Sequence, residues 1–374
     1  MRKTIQKAIV WQEGRIQLVH RELLEPSFGE VMLRLDATAL CSSDFHIWSG
    51  LRQGKLGVLG HEGSGTVVAV GPGVSAWEPG EFAVVNPLLN CGECPDCRAG
   101  RGHICQSREI IGYNGKGLLA DVQLLEARSL FRPPENLPRW HACLVEPLAC
   151  VIHAQRMLDP SAPGDSMLIL GCGPMGAMHA AYAKVRGVSR VWIADPDPSK
   201  LTLARSQGVP CDAWIPFEEV HDRVNQLTDG RGAAITVLAN SSYSSHELAF
   251  RLTAHRGQVL LFSSIRRGPM NVRVEGQDVE CDIIHARESR ENVSTRNGLV
   301  TAVGSMGFDL ESFRESALML TGIIDGGQFI TATRQLADIP KLARGEWKHH
   351  LKIVIYPSGE PVSDHGSPGG GITQ

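Results

Sequence analysis

Along the first 150 residues apolar and polar positions alternate over short spans interrupted by Gly and Pro, as in EVMLRLDATAL, GSGTVVAVGPGV and EFAVVNPL, and β-branched residues are enriched. Period-two alternation predicts strands, so the opening reads as a β-rich, barrel-like unit. From about residue 165 the pattern becomes apolar runs separated by helical stretches: MLILG, a helix through Met178 to Arg186, VWIAD, a helix through Lys200 to Gln207, ITVLAN and QVLLFSS. Wholly apolar runs alternating with helices predict a parallel sheet covered on both faces. A sixth strand is predicted at 298–305, then a helix from about Leu310 to Ile324 and a last strand at KIVIYP. The polar span between Ser264 and Gly298 fits neither period and is read as an insertion near a cleft, while the tail from Ser358 has the composition of a flexible terminus.

A chain of 374 residues exceeds what one hydrophobic core usually supports, so two domains with a cleft between them are expected. The 37 basic and 40 acidic side chains leave a net charge of only -3, which disfavours a nucleic-acid or membrane-surface partner. No apolar run approaches the roughly 20 residues that span a bilayer, and the basic start MRKTIQKAIVWQEGRIQLVH lacks a signal-peptide core, which points to the cytoplasm. In that reducing setting ten cysteines serve metal binding, catalysis or packing rather than disulfides.

Spacing separates these uses. Cys91, Cys94, Cys97 and Cys105 follow C-x2-C-x2-C-x7-C within fifteen residues, among Gly, Glu, Pro, Asp and Arg. Such polar surroundings do not suit core thiols, whereas four thiolates close a tetrahedral shell around zinc, with an iron–sulfur cluster as the alternative occupant. A closed shell leaves no open position, so this metal is structural.

A second set is scattered: LCSSDFHIWSG offers Cys41, Ser43, Asp44 and His46, VLGHEGSG offers His61 and Glu62, and LVEPLACVIHA offers Glu146. A catalytic zinc takes about three mixed ligands and keeps one open position, which Cys41, His61 and Glu146 would supply. Each segment alone is unspecific, because a lone His or Glu more often serves packing or hydrogen bonding.

MLILGCGPMGAMHAA places Gly171, Gly173 and Gly176 as G-x-G-x-x-G, with Pro174 and Met175 between, at the junction of a strand and a helix. The first glycine makes the turn, the second admits a pyrophosphate, and the third lets helix and strand pack closely. Asp195 ends the next apolar run, 19 residues beyond Gly176, where a carboxylate can accept bonds from ribose hydroxyls.

Together these segments resemble the zinc-containing medium-chain dehydrogenases, from about Lys7 to Pro357, and EPLACVIHA is similar to their sorbitol, threonine and polyol branch rather than to the liver alcohol dehydrogenase type. The resemblance implies an α/β chain. A GroES-like catalytic domain would occupy 1–155 with a structural-zinc lobe at 91–105, a Rossmann NAD-binding domain 156–305, a C-terminal return 306–357 and a flexible tail 358–374. It implies two zinc ions per chain, with Cys41, His61 and Glu146 (directly or through water) at the catalytic one and Glu62 as an exchange ligand. It further implies NAD as cofactor, Lys200 as a ribose contact, Ser43 and His46 as a proton relay, and a homodimer or homotetramer. Hydride would pass between a secondary alcohol or polyol and NAD, with zinc lowering the pKa of the hydroxyl. Trp48 falls where the family lines its substrate pocket, although a buried tryptophan is more often simply core. The 264–298 span, with Arg266, Arg267, Arg287 and Arg290, departs from the branch and leaves open an anionic substrate or a solvated charged loop. Two rival functions are a zinc-stabilised binding or structural protein without chemistry, and a zinc-ribbon nucleic-acid module that the balanced charge disfavours.

Overall fold

The computed structural model describes residues 4–12, 14–50, 55, 57–159, 165–263 and 271–359. The opening β-rich unit is built on the strand Glu30–Ala39, buried along almost its whole length. Antiparallel neighbours Glu62–Val70 and Val122–Glu126 flank it, and Phe82–Val85 and Leu130–Phe131 extend the sheet beyond Glu62–Val70. A smaller sheet joins Arg15–Leu23, Thr4–Gln12 and Gly57–Val58. The larger sheet is completed from the far end of the sequence: Lys352–Ile355 pairs antiparallel with Glu30–Ala39, and Ile330–Arg334 runs parallel beside it. Register decides what meets there. Ala39 stands opposite both Glu62 and Val354, so the chain leaving Ala39 toward Cys41 passes between Glu62 and the start of the Lys352 strand.

The second large sheet runs in the order Ala213–Pro216, Arg190–Asp195, Ser166–Leu170, Ala233–Leu238, Thr253–Leu261, Gly298–Gly304, Arg290–Thr295. Six strands are parallel, and the last pairs antiparallel at the edge. Ser166–Leu170 and Ala233–Leu238 are buried at every position, as strands covered on both faces must be. Because the chain moves to one side of Ser166–Leu170 first and to the other afterwards, a crevice opens at the carboxyl ends of these strands, the usual nucleotide position in a doubly wound sheet. The α/β class with a β-rich GroES-like unit and a Rossmann sheet is therefore the fold. The helix Val145–Arg156 packs against both Pro174–Val185 and Leu310–Met319, and nearly all of it is buried in a core that continues from Ala37 and Ala39 to Met167 and Ile169.

Several elements differ from the periodicity reading. The helices expected from Met178 and Lys200 start earlier, at Pro174 and Pro198, because proline has the backbone angle of a first helical turn and needs no partner for a missing N–H. The helix from Leu310 ends at Met319 rather than Ile324. Ala213–Pro216 is a strand that its brevity and its proline concealed. Within the 264–298 span, residues 271–298 form a hairpin (Val272–Val274 with Gln277–Val279), a helix Cys281–Arg287 and the added edge strand. Arg290 ties this segment down by donating to Met157 O and Gln258 Oε1. Arg266 and Arg267 lie outside the described residues, as does the tail from 360. Among the described residues no helix is long and apolar enough to cross a membrane.

Candidate active site and metal centres

Cys41 precedes the short helix Ser42–Trp48, and its backbone N–H donates to Asp44 Oδ2 at 3.0 Å. Asp44 is wholly buried, and its other oxygen stands 3.6 Å from His61 Nδ1. A carboxylate behind one ring nitrogen fixes the imidazole and leaves the other nitrogen to face a ligand. The side chains of Cys41, His61 and Glu62 converge, with their ligand atoms within 4.8 Å of one another. Glu146, in the first turn of Val145–Arg156, is not within that tight set; it is half-buried, and its charge acts on the same groups.

The two carboxylates differ in what holds them. Lys352 Nζ lies 2.6 and 2.5 Å from the oxygens of Glu62 and also donates to Leu40 O at 3.1 Å, and both side chains are 1% exposed. Among the described residues Glu146 has only the Cys150 thiol, 3.7 Å from Oε1. Burial lifts its pKa to about 7, helped by Glu62 and opposed by His61 and Lys352. Burial disfavours charge on His61 as well, but Tyr113, Asp44 and Cys41 outweigh it and raise its pKa well above the ordinary value. A buried pocket of a thiol, an imidazole and an incompletely compensated carboxylate, all favouring added positive charge, fits a zinc ion.

The Ser43 hydroxyl is buried and without a hydrogen-bond partner among the described residues. His46, one turn further on, lines the crevice. That cavity, about 350 Å³, also takes in Phe45, Gly173, Met175, Lys200 and Trp347. Trp347 stacks on Phe45 with ring centroids 4.4 Å apart. Trp48 belongs to the packed core, edge-on to Phe45, the core alternative weighed from the sequence, and the tryptophan lining the pocket is Trp347.

The glycines divide as expected for a nucleotide loop. Gly171 has φ +116°, and a Cβ at Gly176 would lie 1.9 Å from Gly171 O, so these two serve the turn and the packing. A Cβ at Gly173 would meet nothing within 4 Å, which leaves the cradle at the head of Pro174–Val185 open to a ligand. Asp195, 5% exposed, accepts from the backbone N–H of Cys172 at 2.7 Å and of Asp197 at 2.9 Å. Its carboxylate therefore braces the loop, and a carboxylate has acceptor capacity beyond two bonds.

Cys91, Cys94, Cys97 and Cys105 form a separate cluster with sulfurs within 4.8 Å, Cys91 and Cys97 at 3.8 Å and Cys91 and Cys105 at 3.6 Å. Backbone N–H groups of Glu93 and Cys94 pull the Cys91 thiol down to about 6, toward the thiolate that metals bind. The four sulfurs are shaped for a tetrahedral ion.

Three features were not foreseen. Lys352 is a charged residue in the fully buried strand Lys352–Ile355, an oddity visible in KIVIYP but without a partner legible from sequence. Asp44 had no assigned role. A third cluster, His103, His153 and Glu288, combines residues far apart in the chain.

A chain with a β-rich unit, a doubly wound sheet, an open loop at its crevice and a cluster of thiol, imidazole and carboxylate has the build of a metal-dependent dehydrogenase. Residues 27–135 match the alcohol dehydrogenase GroES-like domain family. L-threonine 3-dehydrogenase of Pyrococcus furiosus is 33% identical over 252 residues, 66% of this chain and 71% of the relative. Two solved structures share the fold: galactitol-1-phosphate dehydrogenase from Escherichia coli (TM-score 0.77, 20% identity, 95% of this chain and 100% of that one) and an alcohol dehydrogenase of Escherichia coli CFT073 complexed with NADH (TM-score 0.76, 23% identity, 95% and 98%). The chain belongs to the zinc-dependent medium-chain dehydrogenases, oxidoreductases of the alcohol, polyol and threonine type.

Proposed function

We propose that this dehydrogenase moves hydride between NAD and a secondary alcohol, a polyol or an amino alcohol, at a centre formed by Cys41, His61 and Glu146, with Cys91, Cys94, Cys97 and Cys105 holding a second, structural zinc. The observation that carries this reading is the convergence of the Cys41 thiol and the buried His61 imidazole next to the helix that lines the crevice, with Glu146 paired with no cation among the described residues while Glu62 is clamped by Lys352. A catalytic zinc held there would supply Lewis acidity that makes a substrate hydroxyl acidic near neutral pH.

The remaining steps fall to the protein's own groups. Ser43, buried and without a hydrogen-bond partner among the described residues, takes up the hydroxyl proton as it releases its own toward His46. His46, three residues on and thus on the same helix face, exchanges it with water at the crevice mouth. Phe45 and Trp347 present an apolar wall that keeps water from the reacting carbon. Glu62, neutralised by Lys352, is available to exchange onto the metal only when that pair opens. Gly171, Gly173, Pro174, Met175 and Gly176 receive the pyrophosphate, while Asp195 and Lys200 take the ribose.

Asp195 also argues for NAD over NADP. A 2′-phosphate would bring like charge against a buried carboxylate, and Pro196, Asp197 and Pro198 offer no guanidinium to neutralise it. Lost charge-assisted bonds and repulsion give a preference on the order of a hundredfold in kcat/KM. Steady-state rates with both nucleotides, over L-threonine, polyols, sugar phosphates and cyclic secondary alcohols, test both parts. Cofactor reduction by at least one substrate with NAD is expected. No reduction across the panel would return the protein to the class of binding proteins, and equal efficiency with NADP would remove the role of Asp195.

A further inference from the structure

The described residues bring metal-ligating groups together in three places, and the proposed zinc sites account for only two. The third lies where the four-cysteine lobe meets the nucleotide-binding sheet. His103 comes from the short turn Gly102–Ile104 of the lobe, His153 from the helix Val145–Arg156, and Glu288 from the end of the helix Cys281–Arg287. Both imidazoles turn Nε2 toward the same carboxylate: His103 Nε2 is 2.8 Å from Glu288 Oε2, and His153 Nε2 is 2.8 Å from Glu288 Oε1. The three side chains are 2%, 6% and 7% exposed.

Two further observations mark this as a built arrangement. His153 Nδ1 stands 3.5 Å from Asp309 Oδ2, so a carboxylate backs the ring nitrogen that points away from the cluster, the orientation that metal-binding histidines receive. Glu288 has φ 50°. Glycine is the default at a left-handed helix end, so a glutamate there accepts backbone strain to hold its carboxylate inward, where Met306 N–H also binds Oε1 at 2.9 Å.

We propose that His103, His153 and Glu288 form a third divalent-metal site, distinct from the catalytic and four-cysteine centres, which binds a zinc-like dication and pins the lobe to the nucleotide-binding sheet. Two imidazoles and a carboxylate taking both oxygens to the ion make a closed four-donor set, so the role is structural. Because the set lacks a thiolate, its ion exchanges more readily than those of the other two sites.

The test is a cobalt(II) titration of the intact enzyme after dialysis against EDTA, with two zinc ions retained. Wild type is expected to take up one further equivalent, with nitrogen- and oxygen-type absorption, and to melt at a higher temperature when it is filled. Glu288→Gln and His153→Gln are expected to keep their two zinc ions and to lose both the extra equivalent and the melting shift. Two substitutions on different elements keep the test usable if one fails to fold. No extra equivalent in wild type, uptake that persists in both variants, or a thiolate-to-cobalt absorption band would each overturn the site.

Discussion

Replacing Lys352 by methionine, which keeps the length of the side chain and removes its charge, tests how the active-site pocket tolerates two carboxylates. Lys352 and Glu62 are each 1% exposed, with Nζ 2.5 and 2.6 Å from the carboxylate oxygens, and Glu146 and Cys41 are close enough to act on Lys352 electrostatically. Removing one partner of a buried pair leaves the other without compensation, at a cost of about 3–5 kcal/mol. Unfolding entropy scales with length, so for 374 residues the loss corresponds to a drop in Tm of about 4–6 °C. Removing both charges with Lys352→Met and Glu62→Gln should recover most of that loss, because a neutral pair of similar volume leaves no stranded ion. Thermal melts of wild type, both single variants and the double variant give the coupling directly. A Lys352→Met protein as stable as wild type, or a double variant no better than the single, would refute the view that this lysine compensates Glu62.

Other expectations concern the metal centres and acid stability. Glu146→Ala should lose turnover on the order of a hundredfold or more with its melting temperature nearly intact, whereas Cys94→Ser should lower stability, since structural zinc contributes folding free energy; melts and initial rates on both separate the roles. His179 is fully buried, and burial holds it down to about 3, against about 6.5 unfolded. Between those values the unfolded chain binds a proton that the folded one refuses, so stability should fall as pH drops through that window, by up to about 1.4 kcal/mol per pH unit. His179→Asn, which can still accept from Gln155 Nε2, should flatten this slope in denaturant titrations at pH 7 and pH 5; parallel slopes would count against the assignment.

What the sequence disclosed and what it hid follow from the distance over which each feature is determined. The four-cysteine cluster and the glycine loop are local: fifteen and six residues set their shape, and both lie as read. Cys41 and His61 come together because Ala39 and Glu62 are cross-strand partners, a register that a motif implies only through its family. Glu146 stood ahead of Glu62 only through the family resemblance, and the hold of Lys352 on Glu62 was beyond reach, because the place of Lys352 is fixed by pairing of Lys352–Ile355 with Glu30–Ala39. The third cluster was invisible for the same reason, drawing on the lobe, an interdomain helix and a span with no clear period. Trp48 could be weighed as core or pocket but not decided, because an aromatic side chain looks the same in sequence whether it lines a cavity or fills a core, and the structure places it in the core.

The position of Lys352 bears on how the protein is made. Glu62 waits 290 residues for its partner, so a growing polypeptide emerging from the ribosome can pair Glu30–Ala39 with Glu62–Val70 long before the strand that neutralises the pocket exists. Until then Val122–Glu126 covers only the Glu30–Arg34 end of that strand, leaving its Thr38–Ala39 end open beside a carboxylate too costly to bury. Nascent chains stalled before residue 352 should hold that region loosely, and competence to bind metal at Cys41 and His61 should arrive only once Lys352–Ile355 has been made.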